Sequence, residues 1–484
     1  MRKLTRLTCL LVVLVMVGGL ISTASAEGID TSEFVNINMY LIGEPGRDYD
    51  EMLGIANEKL REDLNASVTV DWLAWGEWET KYPLLLASGE PIDLIYAAYW
   101  TKYTTEARKG AYLALEDLLP IYAPKSNAEL TDDFRKQSLV DGHLYALPAA
   151  FYQYNTWGHL VRGDLMDKYG MTTIDNFEQL GEYLQHVVDE NPEFDPTGLT
   201  PTYMHLARLW AQSHGLYSEE TLVPFFFDIE TAKVVNFLDL PGIEDFYALM
   251  KEWGDKGYWP KSVLANKDAN MFREGLAASY VCNHDGYPNI YLAKPEYDPR
   301  YFLARDFSYK TNAMQDAMAI PASAKNPERA LMFLELLRTN ETYYNLFTYG
   351  IEGKHFEILE DGRMRSLPDV DGFNPEHYCS WGFKSPNFAR DFEGFPPDIQ
   401  ERRAYAESIG KEIPFTYFFP NLDPVKNEYA AVVNVMAQYG KPLELGYVDP
   451  VEGYAELMSQ LKSAGADKVQ EELQRQLDEF MNNL

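Results

Sequence analysis

The side chains in this sequence best suited to hold a ligand are flat. Trp75 and Trp78 follow one β-branched, aromatic run, and Tyr99 and Trp100 follow another. The stretch DGHLYALPAAFYQYNTWGHLVRGDL (141–165) adds Tyr154 and Trp157 beside a Pro and several Gly. Aromatic residues make up 14% of the chain, with 33 Tyr and nine Trp, and these clusters fall where strands end. Open α/β sheets bind their ligands at strand ends. A rigid ring covers the apolar C–H face of a pyranose, while polar side chains satisfy its rim of hydroxyls. Glu44, Arg162 and Asn283 are the polar candidates, and the Gly-, Pro- and aromatic-rich WGFKSPNF adds Trp381 and Asn387. Core packing competes for each ring taken singly, and Tyr145 and Phe151 are expected to pack.

Covalent chemistry finds less support. There is no phosphate loop, no G-x-G-x-x-G after a strand, no H-E-x-x-H, no G-x-S-x-G and no C-x-x-C. The eight His are scattered, with none at the i, i+4 spacing of a helical metal site. Asp228 and Glu230 lack the Gly and terminal Glu of a calcium loop. IEGKHFE (351–357) groups Glu352, His355 and Glu357; acid–base work is one reading, and a hydrogen-bonded helix junction is the favoured one. A glycosidase needs two carboxylates across a cleft, and with 74 acidic residues the sequence nominates no pair. No catalytic residue, metal ligand or cofactor is assigned.

The first residues address the compartment. Arg2, Lys3 and Arg6 precede the apolar Leu10–Ile21, and Ala24-Ser25-Ala26 follows, the pattern of a cleaved secretory signal (1–26). A lipid anchor would need its Cys after the apolar run, and Cys9 stands at its start, so an exported, unanchored protein is expected. Without those three basic residues the formal charge goes from −32 to −35, which argues against nucleic acid. Cys282 and Cys379 remain, and their spacing leaves a disulfide open.

The elements that must position these side chains change texture along the chain. Strands at 34–43, 67–75 and 92–98 alternate with helices at 49–66 and 77–90, which predicts parallel βαβ units. Tyr49, Leu53, Ala56, Leu60 and Leu64 share one face of the first helix. Beyond 150 helical patterns dominate, interrupted by a hairpin at 224–237, a strand at 275–283 and another at 316–323. Asn326 and Pro327 open a later helix as cap and first residue. Chain crossings near 150, 280 and 321 predict two lobes around a cleft: 27–150 plus 281–321, and a helix-rich 151–280 plus 322–484.

In order and spacing, several pieces resemble the family 1 extracellular solute-binding proteins of ABC importers, in the subgroup with a helical C-terminal extension. They are LLLASGEPIDLIYAA (84–98), GAYLALEDLL (110–119), DGHLYALP (141–148), VRGDLMDKYG (161–170), AIPASAKNPERALMFLELL (319–337), YNLFTYGIEGKHFEI (344–358) and LKSAGADKVQEELQRQLDEF (461–480). The resemblance implies an α/β, two-lobed periplasmic-binding-protein-like (type II) fold with hinge strands. It also implies a carbohydrate ligand, often an oligosaccharide, and as partners permease subunits with their ATPase. A monomer that binds no nucleic acid is expected. Many members carry a lipobox Cys, and this sequence departs from that. A secreted polysaccharide-degrading enzyme and a peptide-binding protein of the same fold are the alternatives.

Overall fold

A computed structural model describes residues 29–199, 205–217, 222–266, 271–369, 372–373 and 378–484. The export segment read at 1–26 lies outside them. The strand Val35–Ile42 pairs in parallel with Ala66–Leu73 on one side and Leu94–Ala97 on the other, with Met39 facing both Val70 and Leu94. The helix Tyr49–Leu64 crosses between the first two strands. It buries Tyr49, Met52, Ala56, Leu60 and Leu64, and Met52 takes the place expected of Leu53, which is half-buried. The helix Trp78–Ser88 makes the second crossing and stops at Gly89, whose φ of 72° favours a residue without a Cβ.

Two further strands complete this sheet, both set by long-range contacts. Ala317–Ala319 lies antiparallel between Leu94–Ala97 and Ala146–Pro148. The parallel expectation therefore holds for three strands only. The other two belong to chain that is leaving for, or returning from, a second body.

That second body is built on a three-stranded antiparallel sheet, with Trp157–Val161 between Ser279–Asn283 and Arg300–Leu303. The expected hairpin is present as Phe225–Asp228 against Lys233–Asn236. The C-terminal helices Pro450–Ala464 and Ala466–Asn482 pack into the same core, where Leu457, Leu461, Val469, Leu473 and Leu477 are each at most 1% exposed. Burying each contributes roughly 1.5–3 kcal/mol, so the extension is integral to its lobe.

Separate cores define the lobes, and they divide the chain differently from the sequence reading. Residues 281–312 stay with the second lobe, because Ser279–Asn283 bonds to Trp157–Val161 and not to the first sheet. The helices Pro327–Thr339 and Glu341–Tyr349 pack in the first core through Ala330, Phe333, Leu334, Leu337 and Phe347. An amphipathic pattern shows that a helix covers a sheet but not which one. The chain passes from Ala146–Pro148 in the first sheet to Trp157–Val161 in the second, and from Arg300–Leu303 in the second back to Ala317–Ala319 in the first. Between the lobes Ser308–Lys310 pairs with Tyr154–Asn155 and with Gly410–Lys411, a small sheet at the hinge.

Local chemistry shapes several joints. Asp141 and Gly142 both have positive φ (52° and 90°), which joins Leu139–Val140 to His143–Leu144 as a tight hairpin. Pro327 opens its helix as expected, but the Asn326 side chain makes no cap. Buried Asp93 instead accepts from the Lys325 and Asn326 N–H groups at 2.8 and 2.7 Å. His355 is fully buried, accepts from the Ile351 N–H at 2.9 Å and stacks on Phe373, so 351–357 is a hydrogen-bonded junction. Cys282 and Cys379 lie buried in the cores of different lobes, with no disulfide between them.

Candidate functional site

The carboxyl ends of the first three strands meet on one side of the first lobe. After Leu73 the chain turns, with the Glu77 and Trp78 N–H groups donating to the Ala74 carbonyl at 2.9 and 3.0 Å, and this sets Trp75 on the turn and Trp78 at the helix start. After Ala97 the Thr101 hydroxyl accepts from the Ala98 N–H at 2.9 Å, closing a turn that carries Tyr99 and Trp100. Lys102 completes it in the left-handed region at φ 64°. Beside Ile42, the Cys379 N–H donates to the Ile42 carbonyl at 2.9 Å and brings in the turn Ser380–Phe383 with Trp381.

These turns assemble one aromatic wall. The ring of Trp75 stacks on Trp100 at 6.2 Å and lies 6.0 Å from Trp381. Trp78 stands edge-on to Trp100 at 5.1 Å and is only 4% exposed, so it supports the wall from behind. Trp75, Trp100 and Trp381 remain half-buried, facing a cavity of about 870 Å³ between the lobes.

The opposite wall belongs to the second lobe. Trp157 and Asn283 are directly paired at one end of its sheet. The Arg208 guanidinium lies over the Trp157 ring, 4.7 Å from its centre. Asn283 Oδ1 accepts from the Gly286 N–H at 2.8 Å, so its oxygen holds the turn that carries Asp285. At the hinge, Tyr154 lies against the Gly410 backbone, where a Cβ would come 2.6 Å from its ring. Phe151, expected to pack, also lines the cavity, with the Lys384 ammonium 4.5 Å from its ring centre. Tyr145 does pack, partly buried against the first core.

Thus Trp75, Trp78, Tyr99, Trp100, Tyr154, Trp157, Asn283 and Trp381 line one cavity. Three polar or exposed candidates do not. Glu44 is exposed just past the end of its strand, and Asn387 is exposed beyond Pro386. Arg162 is engaged elsewhere: its Nε and Nη2 donate to Asp164 at 3.0 and 2.6 Å, and Phe194 and Tyr297 cover its plane at 4.4 and 3.8 Å.

Sequence reasoning missed the cavity's other polar groups, among them Arg208, Asp285, Gln315, Asp316 and Lys384. Burial raises the Asp285 carboxyl to about 6, with Asp316 adding to the rise and Lys384 and Arg403 opposing it. Asp316 is likewise raised by burial, although Tyr96 donates to it at 2.7 Å. Among the described residues no group of three or more His, Cys, Asp or Glu is placed to hold a metal ion.

Residues 48–344 match the bacterial extracellular solute-binding protein family, and residues 414–482 match a domain of unknown function (DUF3502). A carbohydrate ABC transporter substrate-binding protein of Streptococcus pneumoniae is 28% identical over 469 residues, covering 95% of this chain and 94% of that protein. The N-glycan transport solute binding protein (NgtS) of S. pneumoniae, solved in complex with Man1GlcNAc, superposes with a TM-score of 0.78 at 26% identity, covering 93% of this chain and all (100%) of the other. The alginate-binding protein AlgQ2, solved without calcium ion, shares the fold at 15% identity with a TM-score of 0.62, covering 92% of this chain and 98% of its own.

Proposed function

This chain belongs to the bacterial extracellular solute-binding protein family, and we propose that it captures an oligosaccharide between its lobes and delivers it intact to the permease of an ABC importer. The observation that carries the reading is the wall of Trp75, Trp100 and Trp381 facing Trp157 across one cavity. A pyranose laid on the first wall still has its other face and its rim free for the second lobe. Ligand then touches both lobes only when they are closed, so it favours the closed state by its differential affinity. The permease reads that closed form, and a cytoplasmic ATPase supplies the energy. The protein itself acts as a monomer, makes and breaks no bond, and needs no cofactor.

In this reading residues 1–26 are a cleaved export signal and the mature chain is free of lipid. No helix of the described residues is long and apolar enough to cross a membrane. The NgtS complexes make mannosyl-N-acetylglucosamine fragments of N-glycans the first ligands to try.

Calorimetric titration and thermal shift with the disaccharide Man1GlcNAc, larger mannosides, alginate oligomers and peptides test the proposal. A bound ligand at about 100 times its Kd adds about 2.7 kcal/mol of stability by mass action. Binding by saccharides and not peptides is expected; a rise with peptides alone, or with nothing, overturns it. Asp285 and Asp316 both line the cavity, and a glycosidase works with a pair of carboxyl groups. The same incubations are therefore assayed for new reducing ends, and their appearance would replace capture by hydrolysis.

A further inference from the structure

Stacking accounts for the faces of a sugar ring but not for its rim. Among the described residues that line the cavity, Asp285 at Oδ2, Gln315 at Oε1 and Thr348 at Oγ1 hold a buried oxygen with no hydrogen-bond partner; Asp285 and Gln315, whose carboxylate and amide oxygens can only accept, come one from each lobe. Asp285 stands in the turn His284–Gly286 of the second lobe, and Gln315 in the turn Ala313–Gln315, whose Ala313 and Met314 belong to the first core. Both turns are braced without using these side chains. Asn283 Oδ1 holds the Gly286 N–H, while the Gln315 N–H donates to the Asn312 carbonyl at 3.2 Å. Charged groups near Asp285 come from every side. Lys384 and Arg403 approach from the first-lobe loop and the helix Ile399–Ser408, Asp316 stands next to Gln315, and Tyr301 lies on the strand Arg300–Leu303 of the same sheet. None of these makes an ion pair with Asp285 among the described residues.

A buried acceptor left without a donor is costly, and natural structures seldom leave one unexplained. Here two such acceptors face one cavity from opposite lobes. Their shared requirement is for donors, and a carboxylate turns freely enough about its last bond to offer either oxygen. We propose that Asp285 and Gln315 are the specificity-determining pair of this cleft, accepting hydrogen bonds from hydroxyls of the bound sugar and so requiring a ring with free hydroxyl donors. The pair rests on the carbohydrate reading and adds a selection rule to it. Stacking tolerates many rings, whereas a site built to accept from a hydroxyl rejects the analogue that lacks it. Because the acceptors sit on different lobes, the donors that satisfy them also tie the lobes together.

The test is calorimetry on the full chain with Man1GlcNAc and its singly deoxygenated derivatives, using D285L and Q315M, which remove each acceptor at similar shape, and D285N as the gentler companion. Each of the first two is expected to lose about ten- to a hundredfold in affinity, the range set by a buried hydrogen bond to a charged or polar group. At least one deoxy ligand should bind the wild type more weakly and lose nothing further against the matching variant. Unliganded variants should melt at or above the wild-type temperature, since an unpaired buried acceptor has gone. Affinity and stability then move in opposite directions, which a packing role would not produce. If D285L fails to fold, D285N carries the same comparison with a smaller loss, because its acceptor is uncharged. Variants that bind every ligand within twofold of wild type overturn the assignment. A wild-type protein that binds no saccharide overturns the carbohydrate reading itself, and the pair with it.

Discussion

The Trp75 and Trp381 rings lie 6.0 Å apart at 34°, one on the turn after Ala66–Leu73 and the other on a turn from the far end of the same lobe. The meeting is made by backbone. The Cys379 N–H donates to the Ile42 carbonyl, and Gly382 rests directly on the strand Ala317–Ala319. The aromatic wall is therefore only as firm as the seat of one turn.

Gly382 is the point at which that seat can be broken. A Cβ there would fall 2.6 Å from Met318 Sδ, 2.7 Å from the Ala317 carbonyl oxygen and 2.9 Å from the Tyr96 ring. Two of those neighbours are ring and backbone, so the turn must lift. Gly382→Ala is expected to cost about 1–3 kcal/mol of stability, as overpacking does, and to weaken saccharide binding because Trp381 moves. Urea unfolding and calorimetry read the two effects. Wild-type affinity in the variant would show that Trp381 contributes nothing to the grip.

Two tryptophans in one cluster should respond in opposite ways. Trp75 is half-buried at the cavity, while Trp78 is 4% exposed and packed edge-on beneath Trp100. Trp75→Ala should lose about 2 kcal/mol of binding, roughly thirtyfold, with a small change in melting temperature. Trp78→Ala should instead lose about 3–5 kcal/mol of stability, as large-to-small core changes do. Equal losses of stability in the two would mean that the wall is only core.

Much of this was legible in the sequence for a physical reason. Strand ends carry short, local signatures, so Trp75, Tyr99 and Trp100 could be placed on one rim without knowing the topology. What depends on distant pairing could not. Residues 281–312 read as a return to the first lobe, since an apolar strand does not declare its neighbour; the hydrogen bonds of Ser279–Asn283 with Trp157–Val161 decide it. Arg162 looked available because a lone Arg beside a Gly and an Asp says nothing of Phe194 and Tyr297, which close over it. Asp285 was missed among 74 acidic residues because its distinction, an oxygen without a donor, exists only in the folded chain.

The thiols supply a further check. Cys282 and Cys379 are buried in different lobes, and burial pushes the Cys282 thiol up to about 12, so little of it is the reactive thiolate at neutral pH. Native protein at pH 8 should resist alkylation at both positions, take label at both in denaturant, and melt at the same temperature with or without reductant. A melting temperature that falls in reductant would reveal a disulfide, and with it a different packing of one lobe on the other.

Glu444 should make stability depend on pH. It is 7% exposed in the C-terminal extension, where it accepts from the Ala207 N–H at 3.0 Å on the helix His205–Ser213 that also carries Arg208. Burial raises its carboxyl to about 7, and the backbone donors with nearby Lys441 only partly offset the rise. An unfolded Glu titrates near about 4.3, so between that pH and about 7 the folded chain holds a proton that the unfolded chain has released. Stability contributed by this group thus falls as pH rises through that window, at up to about 1.4 kcal/mol per pH unit, and levels off above it. Glu444→Gln keeps an acceptor for the Ala207 N–H and removes the titration. The variant should match wild type near pH 4.5 and exceed it by about 2–3 kcal/mol at pH 8 in urea unfolding. A difference that is the same at both pH values would show that Glu444 is ionised throughout and that its carboxylate is paired within the core.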